Sequence, residues 1–468
     1  MTTSQVRART GPAAQGEPAG TPAVPAPPPE AYRLRVPRRV PGPRQLTVRA
    51  VVALALVATL GVLTAVAAVS VRRDTGDLRT TVTQRAAVAA QLRFALADLD
   101  AQRANALAPG VSAADPDVVV GNQLNALITA QQRRAQVSDL LRQLGGDTAR
   151  SGRVRSLLDA LGRYDDLSGR SAYVDEQDPV RPAGHPPRVA VSMNVQAGDV
   201  MHDSLLPAAA ALSAVYGREA DDRQAQAHDA ALRWTLAVGA AGLATLVFLL
   251  WWQRGLAREY RRLLNPPVAA ATAAVLAVTL AAIAALTATA AAVDASGRTG
   301  LRPWTRLAEA RAVAAEAAAS ESRWFVHDAA FGAGDQAQFA SLTRRLDTLL
   351  APGGYATAQE RPAYDDVLTR YGHFRADDRR LRTLKGTGRT EQAASVLTEV
   401  GRGDVAFDFW DFATTLDALA DRRLADFSAH AGDARGSLDG WPGVPAGVLG
   451  AALVLVLLGV RPRLAEYR

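Results

Sequence analysis

Four long apolar blocks constrain this 468-residue chain more than any other feature. Residues 49–71 contain AVVALALVATLGVLTAVAAVSV, with no charge in that run. Residues 232–252, 267–293 and 443–460 are comparably apolar, with Arg233 at the edge of the second. A helix needs about 20 apolar residues to cross ~30 Å of hydrocarbon. Four such helices would not fit in the soluble core of a chain this size, so all four are expected to span a membrane. The third, rich in Ala and Thr, is the least lipophilic. The first is expected to be a retained anchor rather than a cleaved signal, because 49 residues precede its uncharged run.

Charge sets the expected orientation. The net charge of +7 divides unevenly. Residues 1–49 carry +6, residues 253–266 carry +3 and residues 461–468 carry +2. The long segment 72–231 carries −2 and the long segment 294–441 carries −3. Basic short segments stay in the cytoplasm. Both termini and the central loop are therefore expected inside, and 72–231 and 294–442 outside the plasma membrane. Residues 1–48 read as a disordered Pro/Arg-rich arm, because PAAQGEPAGTPAVPAPPPE buries too little apolar surface to offset its ordering entropy. Trp251 and Trp252 suit an interfacial belt.

Helical spacing of apolar residues predicts all-α outer segments. In the first, helices are expected to Pro109-Gly110, from an Asp115 cap before Pro116 to Gly145, over 148–174, and over 189–231 with a bend near Pro207. In the second they are expected over 303–330 with a break at Gly332 and Gly334, over 335–350, over 362–384, and over 390–437 with an interruption at 401–403. Each segment must return to the membrane face it left, so two tandem up-down bundles are the expected fold class. Two short matches suggest a parallel duplication. YDDLSGR at 164–170 repeats as YDDVLTR at 364–370, and GDVMHD at 198–203 as GDVAFD at 403–408.

Candidate contacts follow from this plan. Arg254, Arg258, Arg261 and Arg262 of the central loop form a basic face for a cytoplasmic partner, against the plainer role of anchoring orientation. Arg170 and Arg370, each four residues after an Asp, suit surface ion pairs or an outer partner. Phe407, Phe409 and Trp410 of FDFWDF suit core packing or an interface. SRWFVHDAAF at 322–331 raises the same question.

Catalytic signals are missing. No phosphate-binding glycine loop, GxSxG elbow or paired-histidine metal motif occurs, and no Cys is present. No enzyme activity, cofactor or metal is expected. No charge lies at the centre of any span, so an ion path is unsupported. The arginine excess is explained by topology, so nucleic acid is not an expected partner.

Four spans, two outer helical segments, short basic inner pieces and an Ala/Arg-rich composition resemble the GlnX family of actinobacteria. The resemblance covers the organisation from about residue 49 onward. It implies a non-enzymatic transducer between an amino-acid-binding lipoprotein outside and a soluble Ser/Thr kinase inside. The Pro-rich arm departs from that pattern. A scaffold of an envelope complex and an accessory subunit of a transporter are the alternatives.

Overall fold

A computed structural model describes residues 43–260, 266–327, 329–351, 359–441 and 443–465. The arm at 1–42 and the loop at 261–265, with Arg261 and Arg262, lie outside the described residues. Among those described, helix dominates. The helices are α1 (Pro43–Asp77), α2 (Thr83–Asn105), α3 (Gln123–Gly145), α4 (Ser151–Glu176), α5 (Arg188–Val200), α6 (Leu206–Tyr260) and α7 (Pro266–Ala295). They continue with α8 (Arg302–Val326), α9 (Ala329–Leu350), α10 (Arg361–Gly386), α11 (Thr390–Thr398), α12 (Val405–Gly436) and α13 (Gly443–Ala465). Four helical runs are long and apolar enough to cross a membrane: Arg44–Asn105, Arg188–Arg258, Pro266–Val326 and Gly443–Arg461.

The first three runs are much longer than their apolar blocks. Each continues as helix out of the apolar band through a short π-helical stretch. Leu78–Val82 joins α1 to α2, Met201–Leu205 joins α5 to α6, and Ser296–Leu301 joins α7 to α8. Such stretches absorb one extra residue without breaking a helix. The second stands just before Pro207, where a missing N–H disturbs the regular ladder. The irregularity expected near Pro207 takes the form of this π-helical stretch.

Two boundaries differ from the sequence expectation. Asp115 caps no helix. It accepts a hydrogen bond from the Asp117 N–H at the tip of a hairpin between β1 (Gly110–Val111) and β2 (Val119–Val120). The β-branched run Val118 to Val120 favours strand, and Gly121 takes φ 84° where the chain turns into α3. Asn122 is the true cap, accepting from the Asn125 N–H at 3.0 Å. In the second segment the break falls at His327, whose backbone is extended, and Gly332 and Gly334 sit inside α9.

The two segments between the apolar blocks, 72–231 and 294–441, do not form separate cores among the described residues. One continuous apolar core holds side chains of both, from Leu92 and Leu141 to Phe374 and Leu416. Its axis is the pair α2 and α8, which run parallel because both lead away from the apolar band. Their middles are buried on all sides. Alanines such as Ala95, Ala97, Ala315 and Ala317 let neighbours approach closely. The other helices surround this pair in a repeating way. α2 packs on α3 as α8 packs on α9, α4 on α5 as α10 on α12, and α1 on α6 as α7 on α13. A second core joins the four apolar helices.

Candidate functional site

Buried polar groups concentrate where the two halves meet. In a core this apolar, each needs a partner. Arg323 of α8 is 2% exposed. Its guanidinium pairs with Asp100 of α2 and, at 2.9 Å, with Asp335 of α9. Tyr164 of α4 donates to Asp100 Oδ1 at 3.2 Å. His327 Nδ1 lies 2.7 Å from Asp335 Oδ2, and its Nε2 lies 3.1 Å from Asn194 Oδ1 of α5. Five helices thus share one network. Burial opposes the charge on Arg323, but Asp100 and Asp335 outweigh it and raise its pKa. Burial would raise Asp335, yet the His327 hydrogen bond and Arg323 hold it low. Neighbouring His202 falls to about 4, first through burial and then through Arg323, so it is neutral at ordinary pH.

His327 also lines a groove of about 840 Å³ between α5 and α9. Trp324, Phe331, Arg188 and His185 contribute to its walls. Lys385, the only lysine, donates to the Trp324 and Phe325 carbonyls, each at 2.7 Å. Its ammonium lies 4.5 Å from the Trp324 ring centroid. Burial, then the nearby Arg382, lowers Lys385 to about 8. The groove is sized for a small ligand. It is wired through His327, Asp335 and Arg323 to the α2–α8 axis.

Nearer the apolar band, Arg93 of α2 bridges Glu316 of α8 at 2.7 Å, with side chains 12% and 10% exposed. A constant shift of 218 residues relates the two axial helices. It carries 78 to 296, the starts of their π-helical stretches, and it carries Arg93 to Arg311 and Asp98 to Glu316. The symmetric bridge from Arg311 to Asp98 is not made. Arg133 of α3 takes Asp98, and Asp417 of α12 takes Arg311, each at 2.5 Å.

The sequence-derived candidates scatter. Arg170 is exposed and pairs with Asp166 at 2.8 Å. Arg370 joins Asp366 and also Asp411 of α12. Phe409 is buried at 7%, its ring 5.7 Å from that of Phe374, while Trp410 is 56% exposed and Phe407 lies between these extremes. Arg254 and Arg258 are exposed near the end of α6. The repeated motifs do not coincide. Tyr164 is mid-helix in α4, whereas Tyr364 is in the first turn of α10. Gly198 lies inside α5, whereas Gly403 is a left-handed loop residue at φ 86°. Sequence reading passed over Asp98 and Asp100. Their signal was two carboxylates inside the apolar run FALADLDA.

Residues 74–225 match the family model of an actinobacterial sensor domain. The match runs from the end of α1 to the part of α6 that precedes its apolar block, about a third of the chain, and supports an actinobacterial sensor protein. A sensor domain joined to four apolar helices suggests a membrane protein. No curated protein and no solved structure matches the chain.

Proposed function

We propose that the chain is a non-enzymatic membrane transducer. Both termini and the central loop face the cytoplasm, and the body built on α2 and α8 lies outside. It receives a signal there, for example from an amino-acid-binding lipoprotein, and relays it to a cytoplasmic partner such as a Ser/Thr kinase. The second half is a diverged copy of the matched sensor domain, since its helices pair in the same order and its axial helix follows the 218-residue shift. The relay rests above all on one observation. α1–α2 and α7–α8 run unbroken from the apolar band to the axis, where the Arg93–Glu316 bridge and the Arg323 network join them. A small change in how α2 sits on α8 therefore has a rigid path into two spans.

The test is quantitative co-purification from native membranes with the tagged full-length chain. A Ser/Thr kinase should co-purify with the wild type and drop several-fold with Arg254→Glu/Arg258→Glu, while membrane insertion is unchanged. No kinase in either sample would sink the kinase branch, and equal recovery from both would sink the role of the basic face.

A further inference from the structure

A second groove, of about 460 Å³, lies between α3 and α12. It is the counterpart of the α5–α9 groove across the α2–α8 axis. Its floor is the Phe94 ring, with two guanidinium groups over it. Arg311 Cζ lies 3.8 Å from the ring centroid and Arg133 Cζ 5.2 Å. Its wall carries Phe407, Phe409 and Trp410, and the Phe407 and Trp410 rings stand 5.9 Å apart. Amide side chains of Gln102, Asn125 and Gln132 form the polar rim.

Three features of this groove point to one ligand chemistry. The lining holds two guanidinium groups, each already engaging one carboxylate, Arg133 with Asp98 and Arg311 with Asp417, and each fork has five N–H donors, more than one carboxylate takes up. The buried Arg311 Nε has no hydrogen-bond partner, although the Arg311 side chain is only 15% exposed. An unmet buried donor is costly, and a carboxylate oxygen is the partner a guanidinium fork matches best. The aromatic wall offers a flat, largely apolar surface for a ring, in offset or edge contact. We propose that this groove binds a small aromatic carboxylate, with its anionic group between Arg133 and Arg311 and its ring against Phe407 and Trp410. Arg133 comes from the first half and Arg311 and the aromatic wall from the second, so the ligand clamps the halves together. The site supplies a ligand class to the transducer reading, and the clamp's effect on signalling rests on that reading.

The test is isothermal titration of the full-length chain in lipid nanodiscs. The probes are benzoate and indole-3-acetate, with benzamide and indole-3-acetamide as neutral counterparts. At least one acid should bind, and its amide should bind about tenfold or more weakly, the worth of one charge-assisted hydrogen bond. Arg133→Gln and Trp410→Ala should each weaken the acid by a similar factor with helical content unchanged. Arg188→Gln, in the other groove, should leave it unchanged. Failure of both acids at millimolar concentration, equal binding of acid and amide, or intact binding in both groove variants would each overturn the proposal. Acid binding without movement of the spans would instead sink the transducer reading and leave the site standing.

Discussion

The π-helical junctions at the roots of α2 and α8 use one backbone device in opposite ways. At Leu78–Val82 only Leu78 is buried. A polar groove of about 500 Å³ opens beside it, lined by Asp77, Arg85, Glu219 and Arg223 among others. A methyl group added at Gly76 would meet nothing within 4 Å. At Ser296–Leu301 the stretch is clamped. Ser296, Gly297, Gly300 and Leu301 are all buried. A Cβ on Gly297 would fall on the Gln224 amide, and one on Gly300 would stand 2.5–2.7 Å from Phe427 atoms that include backbone. Gln224 also donates to the Val293 carbonyl at 3.2 Å, tying α6 to the foot of this junction. One axial helix is thus rooted in an open joint beside a polar groove and the other in a close-packed one. On the transducer proposal, the open joint is the one that moves and the close-packed one is the one that holds.

The largest expected effect bears on what holds the two helices together. Arg323→Ala leaves Asp100 and Asp335 buried without their cation and should cost about 3–5 kcal/mol in denaturant unfolding. Arg170→Ala, at an exposed pair, should cost less than about 1 kcal/mol. The junctions come next. Gly300→Ala should destabilise by about 1–3 kcal/mol through overpacking against Phe427. Gly76→Ala should be neutral or stabilising by up to about 1 kcal/mol, since alanine costs less helix entropy. Equal effects at the two glycines would break the distinction between the open and the close-packed joint.

The halves should also differ in the sign of their pH dependence. Asp377 of α10 is raised to about 7, by burial and then by the hydrogen bond it shares with Asp408. The folded chain therefore binds more protons than the unfolded one between about pH 3.8 and 7. The stability from this group is present below that window and lost as pH rises through it. His202, inside the Met201–Leu205 stretch, works the other way. Its lowered value of about 4 means its contribution is present above about 6.5 and lost as pH falls towards 4. In thermal melts, Asp377→Asn should flatten the alkaline-side loss and His202→Gln the acid-side loss. The smallest effect should come from Arg188→Gln at the rim of the α5–α9 groove, within about 0.5 kcal/mol of wild type.

Much of this architecture was legible from residues. The apolar blocks located the four candidate spans, and Pro207 marked a helix irregularity. The union of segments 72–231 and 294–441 in one core was not legible, because helical periodicity shows that a face is buried and not against which helix. Asp98 and Asp100 illustrate the limit. Inside FALADLDA they read as breaks in an apolar face, and only the crossing of α2 with α3, α4 and α8 supplies Arg133, Tyr164 and Arg323 to satisfy them. The YDD and GDV matches pointed to duplication through residues that occupy different structural settings, Gly198 in a helix and Gly403 in a loop. The pattern that fits the axis, Arg93 with Asp98 against Arg311 with Glu316, is two scattered charges per helix and leaves almost no mark in sequence. The hairpin was missed because Asp115 before Pro116 reads equally as a helix start or a turn.

The chain has no native cysteine, so the central claim can be tested directly with spin labels. Pairs placed at the exposed positions Val62 of α1 and Leu280 of α7, and at Leu236 of α6 and Leu280, report the spacing of the spans in nanodiscs. With Glu316→Gln opening the Arg93 bridge, the Val62–Leu280 distance distribution should shift or broaden while the Leu236–Leu280 distribution stays unchanged. An unchanged Val62–Leu280 distribution would contradict the account, because the open junction would then carry no motion from the axis into the membrane.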